Sequence, residues 1–551
     1  MDRLPLEIFN EVTSYLTCRE KQKLLLVCQY WHEVIKSGNL FNNFSTKGHL
    51  KFKAGALFFE QNETHRKQVR SLRLTKPEAS LDYILAIPER FPWLLDFVWA
   101  NYGLVDYKDG VKIDNEKVKN WKNITQFGEF NRYPLSIDIL KFGGFCNLTQ
   151  LMINFHFSDT DCRPLVEQLA HAPKLKLLDL ASAKMTLVDL ELLHFNTPQL
   201  ETLYLSQIMQ EEDDIFEAQL EERRAAGAGA GAGAVSIAHI LADVRMLNMR
   251  IPTGGFGLLA PWMTYVAAKY HYIKHLTIGG VGMTRGRHDY YETELTDIVS
   301  GCPHITSYRV NIFPITPMIL AAMDKNGIQL NRIDLVDDPT VEQIDHLLDS
   351  SQSNSLVTII MDDTHLDSTQ LVNALESFSN LKHLEVGNKF RKPIFLDTLL
   401  CRLKCLETLK LSTWDICLES LIADNVQTKL RSLILEKVVI NNVNTDVMSF
   451  ISSACPDLSK LSIQGQIEGP GRIFRVEFPH HYFTLIKLDI LSNEYYKVNN
   501  RRQITWYRFK GRYLQESLRD DNTVLNNRPH VSIVYQGTTS LNVGGTDIPN
   551  W

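Results

Sequence analysis

The sequence predicts an α/β protein in which a short helical module, residues 1–44, feeds a long array of strand-and-helix repeats, with a curved parallel sheet inside and helices outside. Two observations predict this: an apolar stripe at helical spacing near the first residues, and a triplet of apolar residues that returns from Val69 onward, mostly every 24 to 32 residues. A third, proline set just ahead of the expected strands, marks where each helix ends.

Composition bounds the function classes. The 551 residues are 44% hydrophobic and 22% charged, as expected of a chain with a substantial core and a solvated surface. With 58 basic against 64 acidic residues the net charge is −6, so no overall positive field favours nucleic acid or anionic membrane. A protein partner is the expectation. The nine cysteines are odd in number and scattered, unlike a secreted disulfide scaffold, which points to reduced thiols in the cytosol or nucleus. Neither a leader pattern nor an uncharged apolar run of roughly 20 residues is found.

The first element is a helix. Leu4, Ile8, Val12, Tyr15 and Leu16 fall at i, i+4, i+8, i+11 and i+12, with Pro5 suited to a first turn. Thr17-Cys18-Arg19-Glu20 then fits a capping box that starts a second helix. There Leu24, Val27, Cys28, Trp31 and Ile35 share one face, while Leu25, Leu26, Tyr30 and Val34 are apolar elsewhere. That is more apolar surface than some 40 residues can hide, which implies a partner or a role as cap of the first repeat.

Leu4-Pro5-x-Glu7-Ile8, Val12, Tyr15-Leu16, Leu24 and Val27-Cys28-x-x-Trp31 together closely resemble the F-box, the segment by which F-box proteins dock onto a Skp-type adaptor. Two positions depart: Val12 stands where isoleucine is frequent, and Lys21 where an apolar residue is usual. The resemblance implies that Leu4, Pro5, Ile8, Leu16, Leu24, Val27, Cys28 and Trp31 form or support the adaptor-facing surface. It also implies a cullin bound through that adaptor, within an SCF ubiquitin ligase for which this chain selects the substrate.

The repeats read apolar-x-x-apolar-x-apolar, as in Leu381-x-x-Leu384-x-Val386 and Leu406-x-x-Leu409-x-Leu411. Sixteen starts are found, at 69, 94, 124, 148, 175, 200, 244, 273, 305, 330, 356, 381, 406, 430, 458 and 485, with those at 124 and 244 least regular. A period in the twenties with this spacing looks like a leucine-rich repeat, one short strand followed by a helix or 3₁₀ turn. Cys302-Pro303 and Cys455-Pro456 precede strands, as do Ala172-Pro173 and Thr197-Pro198, a pattern similar to the repeats that often follow an F-box. The expected plan is a helical docking module at 1–44, a linker and irregular first repeats at 45–120, a leucine-rich-repeat solenoid at 121–491 with an insertion at about 210–240, and a cap at 492–551.

Period-two alternation sends alternate residues of each strand to the concave face. The expected concave residues are Arg309, Arg332, Asp334, Asp362, Glu385, Lys410, Glu436, Lys460, Lys487 and Asp489, with an acidic patch across 334–385. Mixed signs favour a structured protein target over a polyanion. The insertion pairs a charged stretch, 210–224, with an Ala-Gly tract, 225–234, and reads as a surface loop.

In the tail, Lys497, Arg501, Arg502, Arg508, Lys510 and Arg512 mix with Trp506, Tyr507 and Phe509. That composition suits a polar-faced terminal cap and, more remotely, RNA binding. No enzyme signature emerges. Gly279-Gly280-Val281-Gly282 lacks the lysine of a phosphate loop and reads as a turn between repeats; Cys401, Cys405 and Cys417 keep the repeat rhythm with no fourth ligand. The expectation is therefore a non-catalytic adaptor without metal or cofactor, binding a Skp-type protein, through it a cullin, and an unidentified protein substrate. A scaffold that docks on the adaptor without promoting ubiquitination is the alternative.

Overall fold

The computed structural model describes residue 24, residues 26–35, and residues 41–548 apart from 78, 101–112, 114, 132–133, 156–159, 211–242, 251–258, 282–290, 311–312, 336–338, 420–426, 442–446, 469–472, 491–494, 500–503, 511–512, 520–527, 529, 539 and 545. The chain falls into two compact units, Met1–Thr284 and Arg285–Trp551.

Unit 1 opens with the short helix Gln29–Val34. Its strands are β1 (Asn43–Lys47), β2 (Ser71–Thr75), β3 (Asp96–Ala100), β4 (Gln126–Phe130), β5 (Gln150–Asn154), β6 (Leu177–Ala181), β7 (Lys184–Met185), β8 (Thr202–Ser206), β9 (Met209–Gln210), β10 (Asp243–Arg250) and β11 (His275–Val281). The longer strands pair in parallel in the order β1-β2-β3-β4-β5-β6-β8-β10-β11. The reason is the triplet. Leu148, Leu151 and Ile153 are 0 to 2% exposed, as are Leu175, Leu178 and Leu180 one repeat on, so each strand sends two side chains and the residue before it into one core. At roughly 1.5–3 kcal/mol per fully buried large apolar side chain, that column is the main stabilising term of each repeat. A shared carbonyl staples successive repeats: the Thr125 oxygen accepts from both the Thr149 and Gln150 amides, and the Thr149 oxygen from Lys176 and Leu177.

The irregular copy at 124 has a physical reason. Its third position is Glu129, fully buried, whose carboxylate accepts from the Leu135 and Ser136 amides at 2.7 and 3.0 Å and from Asn131 at 2.7 Å. The buried acid thus caps the helix Leu135–Lys141, and burial raises its pKa against those hydrogen bonds.

β1 was not foreseen, because Phe44 and Thr46 stand where the leucines would. Its partner is β2, and an aromatic cluster joins it to the helix His49–Gln61: Phe44 meets Phe59 at 4.8 Å, while Phe41 meets Phe58 at 5.4 Å, Phe59 at 5.9 Å and His65 at 4.7 Å. The Phe44 ring lies against Gly55, where a Cβ would come within 2.6 Å of it.

The 44-residue spacing from 200 to 244 does not interrupt the sheet, since β8 pairs directly with β10. The helix before the insertion, Leu187–Asn196, is tied to the helix after it, Leu259–Lys269, by buried polar contacts. Lys269 Nζ, its side chain 1% exposed, donates to Glu191 Oε2 at 2.6 Å, and His194 Nε2 shares a 2.7 Å hydrogen bond with the Tyr270 hydroxyl just beyond the second helix. The charged and Ala-Gly stretch itself, 211–234, lies outside the described residues.

Unit 2 carries β12 (Ser307–Val310), β13 (Arg332–Leu335), β14 (Thr358–Thr364), β15 (His383–Asn388), β16 (Pro393–Phe395), β17 (Thr408–Ser412), β18 (Asp415–Cys417), β19 (Ser432–Asn441), β20 (Lys460–Glu468), β21 (Ile473–Phe483), β22 (Leu485–Ile490), β23 (Tyr495–Asn499), β24 (Ile504–Lys510), β25 (Tyr513–Arg519), β26 (His530–Thr538), β27 (Leu541–Val543) and β28 (Thr546–Ile548). One parallel sheet runs β12-β13-β14-β15-β17-β19-β20-β22-β27. Side-chain caps turn the chain from strand to helix: Thr340 with Gln343, and Asp367 with Gln370, form capping boxes. Several exits from strands use a left-handed residue, among them Thr413 at φ 64° after β17, and Lys437 at φ 53° marks the register shift inside β19.

Fourteen of the sixteen starts read from sequence are followed two residues later by a strand. The exceptions are errors of phase. The last triplet begins at Phe483, not Leu485: Phe483, Ile486 and Leu488 are 2, 1 and 0% exposed and Leu485 is half-buried. Near 244 the backbone register sets Val244 and Met246 in the columns of Leu203 and Leu205. Gly279 to Val281 belong to β11 and are not a turn, while Gly282 to Gly286 lie outside the described residues.

The cap expected from 492 starts earlier. β21 forms a second, five-stranded sheet in the order β21-β26-β23-β24-β25. Its apolar side buries Phe474, Val476, Phe478, Val531, Ile533 and Tyr496, and His481 Nε2 lies 2.8 Å from the Cys455 carbonyl at the end of helix Val447–Ala454.

Candidate interaction surfaces

Two surfaces come from the sequence reading: the docking module and the open face of the repeat sheet. In the module, Leu4, Pro5, Ile8 and Leu16, the Thr17–Glu20 cap and Lys21 lie outside the described residues. Its last part is described and differs from a continuous helical face. Cys28 is the N-cap of the helix Gln29–Val34, its Sγ accepting from the Trp31 amide at 3.5 Å, so Leu24 and Val27 precede that helix. The Leu24 carbonyl accepts from the Val27 amide at 3.1 Å, closing a turn that turns Leu26 and Val27 outward, 88 and 58% exposed. Trp31 is half-buried, Tyr30 is 39% exposed and Ile35 is fully buried. Exposed leucine, valine and tyrosine side by side form a surface suited to burial against another chain.

On the open face of unit 2, register assembles residues distant in sequence into rows. Arg309 sits opposite Asp334, then Ile360, Glu385, Lys410, Ile434, Ser462 and Lys487 follow on successive strands. A second row contains Arg332, Thr358, His383, Thr408, Ser432 and Lys460, and a third Ser412, Glu436, Gln464 and Asp489. Asp362 follows a register shift in β14, and its side chain lies outside the described set.

Geometry changes the electrostatic reading. Asp334 is only 4% exposed: Arg332 donates to both its oxygens at 2.7 and 3.0 Å, and the Arg309 guanidinium lies 3.5 Å away. Those hydrogen bonds to Asp334 raise the Arg332 pKa. Lys410 bridges Glu385 at 2.5 Å and Glu436 at 3.4 Å, and its pKa is raised chiefly by the hydrogen bond to Glu385. The acidic patch expected at 334–385 is thus, at Asp334 and Glu385, a neutralised ladder. The residues missed are Ile360 and Ile434, apolar and half-buried between the charges. The signal for the pairs was available in the period itself, because 309 and 334, and 385 and 410, are each 25 apart.

Eight cysteines are described and all are free thiols; burial raises the pKa of Cys302 to about 12 and of Cys455 to about 11. Among the described residues one trio, Asp161, Cys162 and Asp189, brings ligand-type atoms within 4.8 Å. Its carboxylate Asp189 already closes a capping box with Thr186 and faces the Arg163 guanidinium at 3.9 Å, so structural contacts account for it. His481 is likewise used in packing, against Phe478 and Phe483. No helix among the described residues is long and apolar enough to cross a membrane.

Residues 1–43 match the family model described as F-box domain. No curated protein matches the chain. A similar solved structure is titled "Crystal structure of TLR13-ssRNA13 complex", with 12% identity over 77% of this chain and 68% of that one; its TM-score of 0.35 is too low to carry an argument.

Proposed function

Since the chain is an F-box protein with leucine-rich repeats, we propose that it is the substrate-recognition subunit of an SCF-type ubiquitin ligase, acting in the cytosol or nucleus. The observation that carries the reading is the F-box match at 1–43, whose described end presents Leu26 and Val27 to solvent. In this reading Leu4, Pro5, Ile8, Leu16, Leu24, Val27, Cys28 and Trp31 hold a Skp-type adaptor, and through it a cullin. The open sheet faces offer a protein substrate alternating charge and apolar contact, and ubiquitin transfer is the work of other subunits.

The direct test is co-purification of the full chain with a Skp-type adaptor. Leu4→Ala plus Pro5→Ala should abolish recovery of the adaptor; unchanged recovery sinks the reading. A specific partner that accumulates in cells carrying this variant supports a ligase. Partner levels that stay constant while the partner remains bound favour the scaffold, which the mutual neutralisation of the unit 2 ladder equally permits.

A further inference from the structure

We propose that the exposed arginines on the Arg475–Lys497–Arg508 face of the five-stranded C-terminal sheet, with Arg528 beside them, form a second docking surface, and that its partner is an acidic polypeptide segment. This goes beyond the adaptor reading and does not rest on it.

The face is built by register. β23 and β24 are antiparallel, Tyr495 opposite Arg508 and Lys497 opposite Trp506, while Lys497 pairs on its other side with Ser532 of β26, which in turn meets Arg475 of β21. Arg475, which faces Glu477 at 3.9 Å, gathers there with Lys497, Arg508 and the nearby Arg528, so that among the described side chains of this face four cations meet one carboxylate. A local excess of cations in a chain of net charge −6 is not an average property of its surface.

Two of these cations are held in place. The Arg508 and Arg528 guanidinium carbons lie 5.6 and 5.4 Å from the centre of the Tyr495 ring, and Arg528 Nη1 donates to the Tyr495 hydroxyl at 2.8 Å. Neither has a carboxylate partner among the described residues. A guanidinium resting on a ring keeps most of its in-plane donors for a ligand, and its fixed position lowers the entropy lost when a carboxylate forks onto it.

The same geometry separates an acidic peptide from a single-stranded nucleic acid. Sequence-tolerant nucleic-acid binding needs open aromatic faces on which bases stack. Here the Tyr495 ring is taken by its two arginines, and Trp506, 1% exposed, lies under Lys497 at 5.5 Å and beside His530 at 4.8 Å. The exposed Tyr482 lies over Gly537, seven residues along β26 from His530, roughly 23 Å away. Among the described side chains, fixed charge is offered and stacking area is withheld.

The test is fluorescence anisotropy of the full chain with a fluorescein-labelled decaglutamate peptide, and with a decauridine oligonucleotide carrying the same label. The peptide should bind more tightly than the oligonucleotide, and Arg508→Ala plus Arg528→Ala should weaken it about tenfold or more. The Leu4→Ala plus Pro5→Ala chain should bind it unchanged, which keeps this face separate from adaptor docking. Absence of peptide binding by the unsubstituted chain, tighter binding of the oligonucleotide, or equal peptide binding by the arginine variant overturns the proposal. If the double variant misfolds, Arg508→Gln alone supplies the comparison, with a smaller loss expected.

Discussion

The two units share an inward triplet but distribute charge in opposite ways. In unit 1 the buried polar contacts lie off the open face: Lys269 with Glu191, His194 with Tyr270, and Glu129 beneath a helix start. Its open-face row runs Arg73, Val98, Gly128, Met152, Asp179 and Tyr204, so that its charges are kept apart by three uncharged residues. In unit 2 the equivalent row carries two contacting pairs, Arg309 with Asp334 and Glu385 with Lys410, on either side of Ile360. The inward residues make the repeat, whereas the outward row is free to vary and decides what each unit can meet. Placement also decides the response to conditions: buried pairs resist salt but not truncation, and exposed pairs the reverse.

Truncation within unit 1 should give the largest effect. Glu191→Leu strands Lys269, whose side chain is 1% exposed, and should cost about 3 kcal/mol in urea unfolding, with little change in 1 M NaCl. Lys269→Met, which leaves the 31% exposed Glu191 behind, should cost distinctly less. Equal costs would contradict the assigned burial. Next comes pH. Burial, aided by the nearby Lys269 charge, lowers the His194 pKa to about 3 from an ordinary 6.5. The unfolded chain therefore binds this proton first, so the stability tied to neutral His194 is complete above pH 6.5 and erodes as pH falls toward 3, by up to about 2 kcal/mol between 6.5 and 5. Comparing the chain with His194→Gln over that range isolates this share, and identical pH profiles would refute it.

Unit 2 should show smaller and salt-dependent effects. Lys410→Ala should cost about 0.5–1 kcal/mol at low salt, shrinking toward zero in 1 M NaCl. A cost that persists in salt would place that ladder on the same footing as unit 1. An effect of similar size runs the other way: Thr413, held at φ 64°, should stabilise on Thr413→Gly by about 0.5–1 kcal/mol, read as a rise in Tm.

Much of the repeat fold was legible because an i, i+3, i+5 triplet has one efficient way to bury itself. Phase failed where that chemistry was disguised: Phe483 replaced the expected leucine while Leu485 offered itself two residues later, and Thr46 hid β1. The second sheet was illegible, since β26 lies between β21 and β23 and nothing local in the chain announces that order. Outward residues could be assigned to a face by alternation, yet their meaning depended on partners a whole repeat away. Asp334 looked like part of an acidic patch until Arg309 and Arg332 were placed beside it. In the docking module the spacing of Val27, Cys28 and Trp31 was readable, but that Cys28 ends a turn and caps a short helix depended on backbone geometry.

The aromatic seam around Phe41 and Phe44 bears on how this protein should be cut. Sequence invites scissors at residue 44. That cut would remove two residues of β1 and leave β2 with a bare hydrogen-bonding edge, while Phe58 and Phe59 would lose the rings they lean on. A protein shortened there would be sticky for reasons unrelated to its missing partner, and failed binding or aggregation would be misread as loss of function. Point changes at Leu4 and Pro5 leave the seam whole and make the cleaner instrument.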